Sequence, residues 1–390
     1  MNVLILGGDG YLGWPTAMHL TAHGHQVAVV DNYLRRALCR EENAEPLFDV
    51  PNLHQRSALW ESLAGYAIPV FIGDLRKWEF IEEVFRRFVP EAIVHYAEQP
   101  AAPYSMLNRR AAMLTLQNNL EVTANAIFAV QQFCPEAHIV KLGTMGEYGT
   151  PGIDIEEGWL DVEHKGRRQK FLYPRQAGSL YHTTKIMDTD LLWFYVRTWE
   201  LRVTDLMQGP VYGIFTEENR DHEALLPFLN YDELFGTVLN RFVIQAVADH
   251  PLTVYGKGGQ TRGYLNIMDT LNCVRLSIEN PAPKGELRIF NQFTETFSVS
   301  RLAQKVQRVA RSMGFEADIA SVENPRMEAE EHYYNPAQTG LLDHGLKPHL
   351  LADEVIADML AFAAKHKEKV RAEQIYRKVR WDQKSLARRA

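Results

Sequence analysis

Near its beginning the chain reads Gly7-Gly8-Asp9-Gly10-Tyr11-Leu12-Gly13, between a strand-like run, Asn2–Leu6, and a helical pattern, Tyr11–His23. Gly7, Gly10 and Gly13 form a Gly-x-x-Gly-x-x-Gly pattern, slightly different from the Gly-x-Gly-x-x-Gly of other dinucleotide enzymes. Glycine permits a tight turn, lets the backbone approach a pyrophosphate and leaves free amides at a helix N-terminus. Alone such a motif is weak; its position between strand and helix gives it weight. The expected fold class is α/β: a Rossmann-type doubly wound parallel sheet with a smaller, interleaved C-terminal substrate lobe.

The hydrophobic pattern extends that expectation. Short β-rich runs at Asn2–Leu6, Gln26–Val30, Pro69–Ile72, Ala92–His95, His138–Leu142 and Arg202–Met207 alternate with amphipathic stretches such as Trp78–Phe88 and Ala112–Phe133. That rhythm marks a parallel sheet covered on both faces. Residues 35–66 are long for a connection and are expected to hold helical turns. Breakers between Tyr148 and Arg175 mark a second irregular region, whose basic run His164–Lys170 reads as a solvated hairpin tip. Beyond Gly209 the rhythm loosens. The expected division is a nucleotide-binding domain at 1–208 with contributions from about 243–280, a sugar-binding lobe at 209–242 and 281–370, and a C-terminal arm at 371–390.

At 390 residues the chain exceeds one typical core, which fits two lobes. A hydrophobic share of 46% with 23% charged residues is that of an ordinary globular protein. The net charge of −7 argues against a nucleic-acid partner, which needs a concentrated basic face. Cys39, Cys134 and Cys273 are far apart and show no metal or redox spacing, which suits a reducing compartment; no metal is expected. No stretch is long and apolar enough for membrane insertion or a signal-peptide core. The cytoplasm is the default expectation, and a mature organelle protein would look the same.

Asp31 closes the second strand-like run, where a carboxylate holds ribose hydroxyls and repels a 2′-phosphate, so NAD is favoured over NADP. Arg35 and Arg36 complicate that preference, since arginines there serve a 2′-phosphate, the adenine or the pyrophosphate. Asp74 is placed either to meet the adenine edge or to cap the helix before Trp78. Further along, Tyr181 and Lys185 lie four apart on a helical pattern and share a face. An ammonium beside a phenol is expected to lower a pKa of about 10, making a base for a sugar hydroxyl. Thr144 ends the strand-like run that precedes them.

These features together place the chain by resemblance among the extended short-chain dehydrogenase/reductases that remodel nucleotide sugars. Longer runs narrow the likeness. Gly7–Trp14 with Val30-Asp31-Asn32, Glu98-Gln99 with Ala102–Met106, Lys141–Pro151, Tyr231-Asp232 with Phe235-Gly236-Thr237, His250–Leu265 and Phe290–Glu295 resemble the UDP-sulfoquinovose synthase family. The likeness covers almost the whole chain.

The resemblance implies tightly held NAD, UDP-glucose or a related UDP-hexose as donor, and sulfite as nucleophile. It implies that Tyr181 takes the proton of the sugar 4-hydroxyl, Lys185 supports the phenolate, and Thr144 bonds the 4-oxygen. Elimination of the 6-hydroxyl from the 4-ketone would give a 4-keto-5,6-ene that sulfite attacks at C6. For the other proton transfers the resemblance offers Glu147 at C5 and His182 at O6 or sulfite, with Met145 beside them. NAD is expected to meet Gly7, Asp9, Gly10, Tyr11, Leu12, Asp31, Asn32, Arg35, Arg36, Asp74, Leu75, Tyr96 and Gln208 besides Tyr181 and Lys185. Asn119 is expected either to carry a water relay to Lys185 or to satisfy backbone groups. The UDP-sugar is expected at Gln99, Tyr104, Thr237, Asn240, Arg241, Tyr255, Gln260, Arg262 and Arg326, arginine suiting diphosphate through its planar fork.

Two positions depart from the family pattern: Pro100-Ala101 stands where the family has Arg-Ser, and Met207 where it has Asn. The alternative reading is therefore a UDP-hexose 4-epimerase or dehydratase without sulfite addition; a non-catalytic NAD-binding module is a more distant one. A homodimer is expected through Ala112–Phe133 and Tyr181–Trp199.

Overall fold

The computed structural model describes residues 1–324 and 333–375. Its first lobe runs β1 (Asn2–Leu6), α1 (Gly13–Ala22), β2 (Gln26–Asp31), α2 (Leu34–Glu41), α3 (Leu53–Ala64), β3 (Val70–Ile72), α4 (Trp78–Phe88) and β4 (Ala92–His95). There follow α5 (Arg109–Phe133), β5 (His138–Thr144), α6 (Leu180–Trp199) and β6 (Arg202–Gln208). A seventh strand, β7 (Leu287–Gln292), arrives from far along the chain. All seven pair in parallel in the order β7-β6-β5-β4-β1-β2-β3. The chain steps outward from β1 to β3, then crosses back to place β4 on the other side of β1. That reversal opens a crevice at the carboxyl ends of β1 and β4, where open α/β sheets bind ligands.

Apolar side chains bury both faces of the sheet. On one side Val122, Ala126 and Val130 of α5 pack with Leu192 and Val196 of α6. Trp14, Ala17 and Met18 of α1 pack with Trp60 of α3 and Val274 on the other. Strands sandwiched this way read as continuous Val/Ile/Leu runs, and β1 has four consecutive buried residues. Residues 35–66 hold α2 and α3, the latter started by an Asn52–Gln55 capping box. The basic run forms the turn and return strand of an antiparallel hairpin, Trp159–His164 with Arg167–Leu172, with its tip in solvent.

The second lobe has its own core. Helices α7 (Val238–Val247), α9 (Val299–Ser312) and α10 (Asp353–Lys365) pack through Phe242, Val306 and Met359. Between α7 and α9 in sequence lies α8 (Ile267–Glu279). The expected division needs two corrections. Strand β7 hydrogen-bonds to β6 and belongs to the first lobe although it lies within 281–370. Residues 243–247 complete α7 in the second lobe, while Cys273 and Val274 of α8 do join the first-lobe core. Arg326 and most of the 371–390 arm lie outside the described residues. All three cysteines are free.

Candidate active site

A cavity of about 830 Å³ lies at the crevice and continues between the lobes. At its sheet end Gly7 takes φ +93°, and a Cβ there would stand 2.7 Å from the Tyr96 carbonyl carbon. A Cβ on Gly13 would meet the Gly7 carbonyl oxygen at 2.0 Å, so helix and strand close together only with glycine at 13. The backbone cradle is therefore of the kind that fits a dinucleotide pyrophosphate. Tyr11, Leu12, Asp31, Asn32, Leu75 and Tyr96 line this end. Gln208 also reaches the cavity, its amide 3.1 Å from Gln292 Oε1.

Asp31 stands at the end of β2, its oxygens accepting from the amides of Asp9 and Tyr33 at 2.8 and 2.6 Å. Burial and then the Asp9 charge push its carboxyl up to about 6. Three residues expected at the cofactor are engaged within the protein and stand off the cavity wall. Asp9 is buried and paired with Arg36 at 2.7 Å and with Arg56 at 2.5 Å. Arg36 also donates to the carbonyls of Val50 and Pro51, and neither Asp9 nor Arg36 lines the cavity. Asp74 is likewise off the wall, ion-paired with Arg76 at 2.6 Å; the cap position of α4 is Lys77, so Asp74 is not that cap either. Arg35 does line the cavity, its guanidinium 3.9 Å from the centre of the Phe235 ring and hydrogen-bonded to Asn230.

Midway along the cavity stand Thr144, Met145, Tyr181 and His182. Thr144 ends β5 and its hydroxyl caps the turn Met145–Glu147, accepting from the Gly146 amide at 3.2 Å. His182 packs against Gly146 so closely that a Cβ there would lie 2.3 Å from Nε2; its Nδ1 is 3.1 Å from Ser179 Oγ, the cap of α6. Lys185 lies behind the wall, its ammonium ion-paired with Glu98 and 3.8 Å from Asp188. Burial opposes the Lys185 charge, but Glu98 and Asp188 outweigh it and raise its pKa. The expected lowering of the Tyr181 pKa is reversed in this structure. Burial, then the charges of Glu98 and Glu147, push the phenol well above its ordinary range.

Glu147 is not at the cavity. It is fully buried, its Oε1 accepting from the Thr144 amide at 3.2 Å, and it pairs with Lys141 at 3.4 Å and Arg175 at 3.5 Å. Asn119 is also enclosed, its side chain joining Gln99 and Thr184, so it satisfies neighbours and does not face the cavity. Gln99 is held by Asn119, Thr115 and Ala101, and Tyr104 stacks on Phe235; neither lines the cavity. The adjacent Asn118 and Glu98, passed over in sequence, do. Lys141 and Arg56 were also missed: buried cations carry no periodic signal.

The far end belongs to the second lobe. Thr237, Asn240, Arg241, Tyr255, Gln260 and Arg262 all line it. Arg241 donates to the Tyr255 hydroxyl at 3.2 Å, and that hydroxyl donates to Glu233 at 2.9 Å. Oxygens of Thr237, Asn240 and Gln260 and Nε of Arg241 are buried without hydrogen-bond partners among the described residues. Buried polar atoms are normally satisfied. The Thr237 hydroxyl and Arg241 Nε can donate to an anion such as a diphosphate, while the amide oxygens of Asn240 and Gln260 need donors such as ribose hydroxyls or a base N–H. The group therefore fits a nucleoside diphosphate.

The parallel sheet and the glycine cradle at its crevice define a protein of the dinucleotide-binding class. Residues 3–291 match the NAD dependent epimerase/dehydratase family, and the chain belongs to that family. It is 49% identical to the chloroplastic UDP-sulfoquinovose synthase of Spinacia oleracea over 97% of this chain and 79% of that one. It is 44% identical to the UDP-sulfoquinovose synthase of Sulfolobus acidocaldarius over 89% of this chain and 88% of that one. The fold matches that of UDP-glucose 4-epimerase from Bifidobacterium longum, solved with NAD+ and UDP, with a TM-score of 0.71 at 18% identity, covering 95% of this chain and all of that one.

Proposed function

We infer that this chain is a UDP-sulfoquinovose synthase, exchanging the 6-hydroxyl of UDP-glucose for a sulfonate from sulfite. The observation that carries the inference is near-full-length identity of 49% to the spinach synthase, joined to a cavity with Thr144, Tyr181 and His182 between a dinucleotide cradle and an arginine-bearing lobe. The same identity favours the synthase over an epimerase or dehydratase that omits sulfite.

NAD, which the glycine turn of Gly7 and Gly10 and the Asp31 carboxylate would hold, would supply the hydride acceptor for C4 of the sugar and the donor that restores it. Tyr181 receives the proton of the 4-hydroxyl and gives it back at the end, with Thr144 bonding the 4-oxygen. The ketone at C4 acidifies the C5 hydrogen, so C5–H and the 6-hydroxyl leave together as water. Sulfite then forms the C6–S bond and C5 regains a proton. His182, beside Tyr181 on the cavity wall, is the titratable group proposed for the departing hydroxyl. Glu147, enclosed by Lys141 and Arg175, is not available at C5. Arg241 and Arg262 are proposed to hold the UDP diphosphate.

The protein is further proposed to act as a homodimer through α5 and α6, where Phe128 and Phe194 are 43% and 50% exposed. Among the described residues no helix is long and apolar enough to cross a membrane. The cytoplasm or an organelle stroma is the proposed compartment. Incubation with UDP-glucose, with and without sulfite, and mass spectrometry of the products tests the activity. A sulfonated sugar nucleotide only with sulfite is the expected result; UDP-galactose in both incubations rejects it. Tyr181→Phe is expected to lower turnover by roughly 10²–10⁴-fold, the range of a lost general base, with bound NAD unchanged.

A further inference from the structure

Glu98 sits three residues beyond the end of β4, on the cavity wall. One carboxylate oxygen is paired with the Lys185 ammonium, and His95 Nε2 stands 3.8 Å from the same oxygen. The other oxygen is buried without a hydrogen-bond partner among the described residues. Lys185 itself is behind the wall while Tyr181 is on it. We propose that Glu98 is a positioning residue: its carboxylate fixes where the Lys185 ammonium stands, and so how strongly that ammonium acts on Tyr181. The proposal rests on the assignment of Tyr181 as the proton acceptor.

A lysine has a four-carbon stem with many rotamers, so its ammonium does not find one place unaided. In a buried setting a fixed counter-charge decides the place, because an unpaired ion there is strongly disfavoured. Glu98 supplies the short contact, and Asp188, at 3.8 Å on the same helix, is too far to replace it. The pairing also partly neutralises the ammonium as its surroundings meet it. The charges that act on Tyr181 are those of Glu98 from the loop after β4, Glu147 from the turn after β5, Lys141 from β5 and Asp188 from α6, and the His182 ring stands beside it. After burial, the Glu98 charge acts most strongly to keep the proton on Tyr181.

Glu98→Gln keeps the shape and removes the charge. In NAD-loaded protein carrying tyrosine labelled with ¹³C at Cζ, the Tyr181 resonance, assigned with Tyr181→Phe, reads phenol against phenolate directly. The variant is expected to titrate at least one pH unit lower than the native protein, with the acid limb of the kcat profile moving the same way. A Tyr181 that stays a phenol over the same pH range in both proteins overturns the proposal. If Glu98→Gln does not fold, Glu98→Asp is read instead; a smaller downward shift supports the role, and coincident curves sink it. A shifted resonance without a sulfonated product rejects the functional assignment and keeps the role of Glu98. Product with an unshifted resonance does the reverse.

Discussion

A single hydrogen atom at position 13 governs how closely α1 approaches β1. Any Cβ there would sit 2.0 Å from the Gly7 carbonyl oxygen, and Gly13 has no positive φ, so the constraint is steric alone. Gly13→Ala is expected to cost about 1–3 kcal/mol, the range for overpacking a closed site, and to loosen NAD. Chemical denaturation and calorimetric NAD binding read the two effects. Other residues carry less freedom than their neighbours suggest. Arg35 and Arg36 are adjacent, yet Arg36 is spent on Asp9 and two carbonyls while Arg35 alone reaches the cavity.

At the level of elements, β5 is joined to α6 and β6 through one buried lysine. The Lys141 ammonium meets Asp205 at 3.0 Å, Thr189 at 2.6 Å and the Lys185 carbonyl at 3.1 Å. Lys141→Met leaves Asp205 and Glu147 without that charge, and is expected to cost about 3–5 kcal/mol, as when one member of a buried pair is removed. Urea unfolding midpoints check it; an unchanged midpoint would show that the clamp does not hold the helix to the sheet.

The start of β5 carries a pH response. Burial, then the charges of Arg288 and Arg202, lower His138 to about 3, while Nε2 contacts Thr204 Oγ1 at 2.9 Å. An unfolded histidine titrates near about 6.5. Below that value the unfolded chain binds the proton and the folded chain does not, so stability present above 6.5 is lost as pH falls toward 3. Asp31, raised to about 6, works in the opposite sense between its unfolded value and 6, so the histidine is best isolated by comparison. Native protein should lose about 1.4 kcal/mol more per pH unit below 6.5 than His138→Gln. Equal slopes in urea titrations at several pH values refute it.

Across the whole molecule, the site exists only where two lobes meet. One lobe presents the glycine turn and Tyr181, the other Arg241 and the unpartnered oxygens of Thr237 and Gln260. Ligand bound between them should therefore stabilise both, by mass action on the folded state. The outer faces of α5 and α6 make a second whole-molecule surface, with Phe128 packed edge-on to Tyr195 and Trp199 and Phe194 beside Tyr195. Phe194→Glu is expected to turn the proposed dimer into a monomer in light scattering while the cavity is untouched. A native protein already monomeric at micromolar concentration dismisses the dimer.

Local chemistry was enough for the parts in which neighbours in sequence act together. Six strands of the large sheet, the helix at Trp78–Phe88 and the glycine turn follow from apolar runs and from what glycine permits, because period and turn residues are properties of short segments. Tertiary structure decided what depends on residues far apart. Strand β7 joined the first lobe because its partner β6 lies about eighty positions earlier. Asp9 and Arg36 closed on each other, Glu147 was taken by Lys141 and Arg175, and Glu98 met Lys185 across 87 positions. Buried charge is paired by whatever the fold brings near, and no spacing along the chain announces that partner.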